Sequence, residues 1–377
     1  MRIGFFTDTF YPNVDGVVTT LVNYRDEMQK RGDDVFVFTS GDKKTKELNQ
    51  DPKVFVFRSV KFPPYPQYKI ALFPFNSAKI AKEKKIQLVH CHALASMGLA
   101  AIKTSRDLRL PLLGTFHTMV PMAAKKMMGK TAEKILWKGV KLFYQRFDLV
   151  TCPTKTVQQI LREKGVDSIV VPNAVDTARY NPSVKSRVVK DLVGADKIVL
   201  VAGRISQEKN INVIVKSASE VLKKTRGVFT TKFVVTGDGP ARKQIEELVK
   251  GEGLQKDFVF TGFVKQEHLP SYYAACDCFA TASAFETQGL ALLEAMACGK
   301  PVVGAKAMAI PESVREGKNG FLFQPGDEGE CAEKIIRVLT MPKSLYAKMG
   351  KNARKTAEQF SIPKSTSKML EVYEKML

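Results

Sequence analysis

Short apolar runs recur along this chain in two successive series, with helical stretches between them. The first series occupies 3–6, 35–39, 54–57, 87–90, 112–116 and 148–152; the second occupies 197–202, 232–236, 257–260, 276–281 and 301–303. Each run is β-branched or aromatic and bounded by polar or turn residues, as strands covered on both faces are. The intervening stretches repeat at 3.6 residues. Val17, Leu21, Tyr24 and Met28 share one face of 17–31, and 76–85, 210–224, 240–250 and 288–298 also read as helices. Strands alternating with helices specify a parallel sheet with helices on both sides, so the fold class is α/β. Two series imply two doubly wound, Rossmann-like domains, which suits 377 residues at about 180 per domain. The expected domains are 1–180 and 181–355, divided in the polar stretch near 176–196, with 356–377 a C-terminal helix packing back on the first.

Charge is the unusual part of the composition. The net charge is +21, with 29 Lys and Arg against 16 Asp and Glu in residues 1–180, and 30 against 22 in the remainder. That balance implies an anionic partner: nucleic acid, a phosphate-bearing substrate or an anionic membrane surface. A hydrophobic fraction of 44% excludes a disordered chain. No apolar run reaches the roughly 18 residues of a membrane span, and Met1–Phe6 enters a strand without the anatomy of a leader. The six cysteines (Cys91, Cys152, Cys276, Cys278, Cys298 and Cys331) lack zinc-site spacing and read as reduced core residues of a cytoplasmic protein.

In doubly wound sheets ligands bind beyond the carboxyl ends of the strands, so the loops after strands are the candidates. Glu286 and Glu294 flank a helix start. Eight helical residues turn about 80° past two full turns, so the pair faces one side only if Glu286 lies at or before the first turn. Thr287, Gln288 and Gly289 would then offer backbone N–H groups to phosphate or sugar oxygens, although a capped helix with a surface glutamate at each end reads the same way. Arg204 and Lys209 follow the strand 197–202 at a spacing that can close on a diphosphate, Arg as a fork and Lys as a point charge. Gly16 stands where the loop 7–15 becomes a helix, and His117 ends the strand 112–116 where it can handle hydrogen bonds near neutral pH. His90 and His92 end another strand and read as packed structural histidines; His268 reads as a surface residue at a helix start. Gly237-Asp238-Gly239-Pro240-Ala241-Arg242 resembles the start of a dinucleotide fingerprint. Arg242 replaces its third glycine and the turn is not the first of its sheet, so a nicotinamide cofactor is not expected.

Taken in order, these segments resemble the retaining glycosyltransferases of family 4, which have the GT-B fold of two facing Rossmann-like domains lining a cleft. The sharpest likeness runs from Glu286 through Glu294 into Ala295-Met296-Ala297-Cys298-Gly299-Lys300-Pro301-Val302-Val303. Arg204 with Lys209, Gly237-Asp238-Gly239-Pro240 and Val171-Pro172-Asn173-Ala174-Val175-Asp176 match at the family's spacing. The resemblance implies a nucleotide-sugar donor, with UDP-hexose the default, and no obligatory metal or other cofactor. It implies that Arg204 and Lys209 bind the diphosphate, Glu294 holds the ribose and Glu286 contacts the transferred sugar. Backbone groups of Thr287, Gln288, Gly289 and Leu290, with the loop at Gly16, would cradle sugar and phosphate, and His117 would touch the sugar near the reacting carbon. Asn173 and Asp238 lie in motif loops.

A narrower likeness, through Phe62-Pro63-Pro64-Tyr65-Pro66-Gln67-Tyr68, Phe116-His117-Thr118-Met119 and Glu286–Leu290, is to the branch that glucosylates diacylglycerol. It implies a lipid acceptor and peripheral attachment to the inner face of the cell membrane. Between Pro121 and Phe147, seven basic residues, among them Lys126, Lys130, Lys134 and Lys138, stand against Glu133 alone. Leu136, Val140, Phe143 and Phe147 share a helical face beside Trp137, the expected interfacial anchor, so this segment reads as a basic amphipathic helix for an anionic surface. The other readings are the same transfer to a soluble polyol, sugar phosphate or glycan, and a binding protein on an inactive scaffold; nucleic acid is not expected.

Overall fold

Two sheets organise the chain, and their strand orders place the loops that matter. The computed structural model describes residues 1–13, 15–62, 65–72, 74 and 76–377, and within 61–70 and 123–128 the backbone alone. The first sheet holds β1 (Arg2–Thr7), β2 (Asp34–Gly41), β3 (Val54–Phe62), β4 (Tyr65–Ala71), β5 (Leu88–Cys91), β6 (Leu112–Thr115), β7 (Leu149–Cys152) and β8 (Ile169–Val170), in the order β4-β3-β2-β1-β5-β6-β7-β8. The second holds β9 (Lys197–Ala202), β10 (Thr231–Thr236), β11 (Phe258–Gly262), β12 (Cys278–Thr281), β13 (Val302–Ala305) and β14 (Gly320–Phe323), in the order β11-β10-β9-β12-β13-β14. The described pairings are parallel except β3 with β4. The chain divides into two compact units, Met1–Ala174 with Ile362–Leu377, and Val175–Ser361.

Alternation along β9 shows why the sheets are covered on both sides. Val199 and Val201 join one buried cluster with Phe233, Val235 and Phe321, while Ile198 and Leu200 join another with Val234, Phe279 and Leu293. Successive residues of a strand point to opposite faces, so an unbroken apolar run needs two cores. In the first unit Leu21, Tyr24 and Met28 of the helix Gly16–Lys30 meet Met369, Val372 and Tyr373 of the helix Ile362–Met376 in one cluster with Ile3 and Phe5. Full burial of a side chain of this size contributes roughly 1.5–3 kcal/mol.

Three strands were absent from the sequence reading. β4 runs antiparallel at a sheet edge and carries Pro66, which an edge position tolerates. β8 has two residues, too short to declare a period, and β14 (Gly320–Phe323) has four and begins on a glycine. The helix read at 288–298 is Leu290–Ala297, because Gly289 has φ +81° and cannot continue a right-handed helix toward its N-terminus. The helix Val120–Tyr144 is interrupted at Gly129, at φ 84° and ψ 179°. Among the described residues no helix is long and apolar enough to cross a membrane, and all six cysteines are free and buried.

Candidate active site

In the second sheet the strand order reverses between β9 and β12, the switch point where an open α/β sheet leaves a crevice. The loops leaving these two strands form a pocket lined by Gly203, Arg204, Lys209, Thr281, Glu286 and Gly289, among others. Gly203 takes φ +132°, Gln207–Lys209 forms one 3-10 turn, and Asn210 in the left-handed region starts the helix Ile211–Thr225. The Asn210 Nδ2 group donates to the Ala282 carbonyl at 3.3 Å, tying one loop to the other. Lys209 Nζ donates to Glu286 Oε1 at 2.6 Å. Burial works against the Glu286 charge, but the Lys209 ammonium and its hydrogen bond outweigh it and hold the carboxyl below its usual range. Arg204 is exposed beside this pair. A cation held close to a carboxylate, with a second cation near, can accept a diphosphate when the carboxylate turns to sugar hydroxyls. The N-cap of the following helix, Gly289, has no side chain to cap it and lies on the lining of the same pocket.

The Gly237–Pro240 segment has a structural reason. Gly203 N donates to Thr236 O at 3.0 Å, Ile205 N to Asp238 O at 3.0 Å, and Ala241 N to Ile205 O at 3.0 Å. A Cβ on Gly237, whose φ is +123°, would stand 2.0 Å from Gly203 O, and one on Gly239 would stand 2.3 Å from Ile205 O. These glycines let the loop after β10 lie directly against the Arg204 loop and hold it in shape. The Asp238 carboxylate is engaged locally, with Gly239 N at 2.7 Å and Arg242 Nη1 at 3.4 Å.

Glu294 lies apart from that pocket's lining, one turn into the helix. It accepts from the Tyr273 hydroxyl at 2.7 Å, with Tyr180 beside it, and burial pushes its carboxyl up to about 7 against the pull of these hydroxyls. Thr287 is half-buried, Gln288 is buried, and Leu290 packs at the edge of the core. The structure therefore gathers Arg204, Lys209, Glu286 and Gly289 on one pocket and sets Glu294 among tyrosines that the sequence reading did not single out.

The first sheet has its own switch point, between β1 and β5. Gly16 opens its helix there. Asp15 Oδ1 accepts from Val17 N and Val18 N, each at 2.9 Å, so two first-turn donors are already committed. Asp8 accepts from Ala95 N at 3.0 Å and Met97 N at 3.1 Å at the start of the helix Ser96–Leu108. His117 follows β6, and its Nε2 lies 2.9 Å from Nδ1 of His92, which follows β5. Burial depresses His117 to about 4 and His90 and His92 well below their usual value, so all three are neutral at pH 7. The pairing of His92 with His117 was missed. The only signal for it was a histidine two residues after another at a strand end.

The basic segment needs one correction. Trp137 is not an interfacial anchor: it is 5% exposed and stacks on Phe116 with ring centroids 6.2 Å apart. With Val140, Phe143 and Tyr144 it forms the face that covers the sheet near β6, whereas Leu136 is exposed. Among the described residues of this helix the most exposed apolar side chains are Ile135, 66% exposed, and Leu142, 51% exposed. Lys130, Lys134, Lys138 and Lys141 are exposed around them. Lys126, expected to belong to the same face, lies outside the described side chains, and Pro63 and Pro64 lie outside the described residues.

Two family profiles cover most of the chain. Glycosyltransferase Family 4 matches residues 14–179 and Glycosyl transferases group 1 matches residues 184–356. The alpha-monoglucosyldiacylglycerol synthase of Streptococcus pneumoniae is 31% identical over 96% of this chain and 85% of its own length. The chain belongs to the family 4 glycosyltransferases. The synthase of the same description from Acholeplasma laidlawii shares 27% identity over 96% of this transferase and 94% of its own length. Sulfoquinovosyl transferase SQD2 of Arabidopsis thaliana shares 28% over 98% and 72%. The Anabaena protein HepE, solved in complex with UDP, superposes at a TM-score of 0.80 with 24% identity and full coverage of both chains, which places this transferase in the GT-B fold. It is an enzyme that transfers a sugar from a nucleotide sugar.

Proposed function

We propose that this glycosyltransferase moves a hexose, glucose by default, from its UDP-linked form to a lipid hydroxyl such as that of diacylglycerol, with retention at the anomeric carbon. The pairing of Lys209 with Glu286 beside Arg204 is the observation that carries the donor half of this reading. A departing diphosphate gains negative charge as the glycosidic bond breaks, so preplaced cations stabilise the transition state more than the ground state. Glu286 is then positioned for the transferred sugar, Glu294 for the ribose and His117 for the sugar near its reacting carbon. The Gly16 loop and the backbone of Thr287–Leu290 would cradle sugar and phosphate. No metal is required, because Arg204, Lys209 and backbone N–H groups supply the positive potential.

The acceptor half is supported by relatives described as lipid glycosyltransferases and by the exposed Lys130, Lys134, Lys138, Ile135 and Leu142. Lysines ringing apolar side chains on one helix suit a cytoplasmic enzyme peripherally bound to anionic lipid headgroups. The test is a product assay with UDP-glucose and anionic vesicles containing diacylglycerol, run with and without a chelator. An α-glucosyl lipid formed equally in both is expected. Glucosylation of a soluble polyol or sugar phosphate, with lipid untouched, overturns the acceptor; loss of activity on chelation overturns the metal-free mechanism.

A further inference from the structure

The tyrosines around Glu294 hold it in a way that bears on which nucleotides the donor pocket accepts. The helix Leu290–Ala297 begins at that pocket, where Ala291 and Leu292 belong to the lining, and Glu294 stands one turn further in. A glutamate side chain is long and rotates freely, so a carboxyl that must meet two neighbouring hydroxyls gains from being held before they arrive. Tyr273 supplies the hold. It is buried near the end of the helix Leu269–Ala275, and its hydroxyl donates to Oε2 of Glu294 at 2.7 Å. Burial pushes this phenol well above its usual range, so the O–H keeps its proton and stays a donor. The ring is fixed in turn: Tyr180 packs edge-on with centroids 5.5 Å apart, and Phe279 of β12 tilts against it at 5.9 Å. Arg354 Nη1 donates to the carbonyls of Tyr180 and Ala297, each at 2.8 Å. One guanidinium thus ties the residue packed on Tyr273 to the last residue of the Glu294 helix. An ionised carboxylate offers about four lone-pair positions, so the phenol leaves acceptor capacity for ribose hydroxyls.

We propose that Tyr273 is a positioning residue for donor selection: by holding Oε2 it sets the Glu294 carboxyl to accept from the ribose, and so makes the enzyme prefer a ribonucleoside diphosphate to its deoxy analogues. Tyr273 acts through Glu294, and the proposal rests on the placement of Glu294 at the ribose. A hydroxyl that only satisfied the packing of the tyrosine cluster would have no bearing on which sugar the nucleotide carries.

The test is calorimetric titration of wild type and Tyr273→Phe with UDP, 2′-deoxy-UDP and 3′-deoxy-UDP. The substitution keeps the ring that packs on Tyr180 and removes only the hydroxyl. A site built to hydrogen-bond a hydroxyl rejects the analogue that lacks it, so wild type should bind UDP about tenfold or more tighter than at least one deoxy analogue. In Tyr273→Phe that ratio should fall about threefold or more through weaker binding of UDP, while the affinity for the same deoxy analogue changes little. Both ligands are read on one protein sample, so a loss of folded protein lowers both signals together and does not imitate a change in their ratio. A ratio that the substitution leaves unchanged, whether or not both affinities fall, removes the positioning role and leaves Glu294 at the ribose. Wild type that binds all three nucleotides equally, or none of them, overturns the placement of Glu294 and the proposal with it.

Discussion

At the residue scale, the two glutamates of the second unit differ through their neighbours. Glu286 faces an ammonium and stays ionised; burial raises Glu294 to about 7, although tyrosine hydroxyls donate to it. A carboxyl whose folded pKa exceeds its unfolded value of 4.5 stabilises the fold most below pH 4.5. That contribution falls as pH rises through about 7, where the buried group must ionise. Glu294→Gln keeps an acceptor for Tyr273 and cannot ionise. Relative to wild type it should therefore be more stable at pH 8, by at most about 3 kcal/mol, with the advantage gone near pH 4.5. Thermal melts at both pH values check this, and a difference independent of pH contradicts the environment assigned to Glu294. Kinetically, Glu294→Gln should raise donor KM, since ribose is unchanged in the reaction, whereas Glu286→Gln should lower kcat. The spacing of the two carboxylates was legible in the sequence. The tyrosines that donate to Glu294 and partly offset its burial lie at 180 and 273, distant along the chain and carrying no local signal.

At the scale of elements, long strands and helices were legible because each buried run declares its own period. The misses have physical causes: β8 is two residues long, β4 is an antiparallel edge strand, and Gly289 moves a helix start by its backbone conformation. The basic helix shows a subtler limit. Periodicity located an apolar stripe and a lysine stripe on 120–144, but not which of Leu136 and Trp137 faces inward, because they are neighbours about 100° apart. With Trp137 buried, the proposed membrane attachment rests on the lysines together with Ile135 and Leu142. Each basic residue near an anionic surface contributes roughly 1 kcal/mol, screened within a Debye length. Changing Lys130, Lys134 and Lys138 together to Gln should weaken binding to anionic vesicles about a hundredfold, and high salt should do the same to wild type. Co-sedimentation checks it. Removing Ile135 and Leu142 as Ser should abolish the salt-resistant fraction, and unchanged binding of the triple variant contradicts the surface assigned here.

At the scale of the whole molecule, each sheet has a strand-order reversal, and each reversal carries functional candidates. Arg204, Lys209 and Glu286 stand at one; Gly16 and His92 stand at the other, with His117 one strand further along beside His92. The strand series in the sequence shows that each unit is built on a parallel sheet, but not the spatial order of the strands, so the switch points emerge only in the fold. An overall charge of +21 attracts any anion, which makes specificity of the site the matter to measure. Calorimetric titration of UDP into wild type, Arg204→Ala and Lys209→Ala tests the β9–β12 switch point as the donor site. Binding that weakens at least tenfold in each variant, with melting temperatures preserved, is expected. Equal UDP affinity in all three proteins, or no UDP binding by wild type, contradicts it.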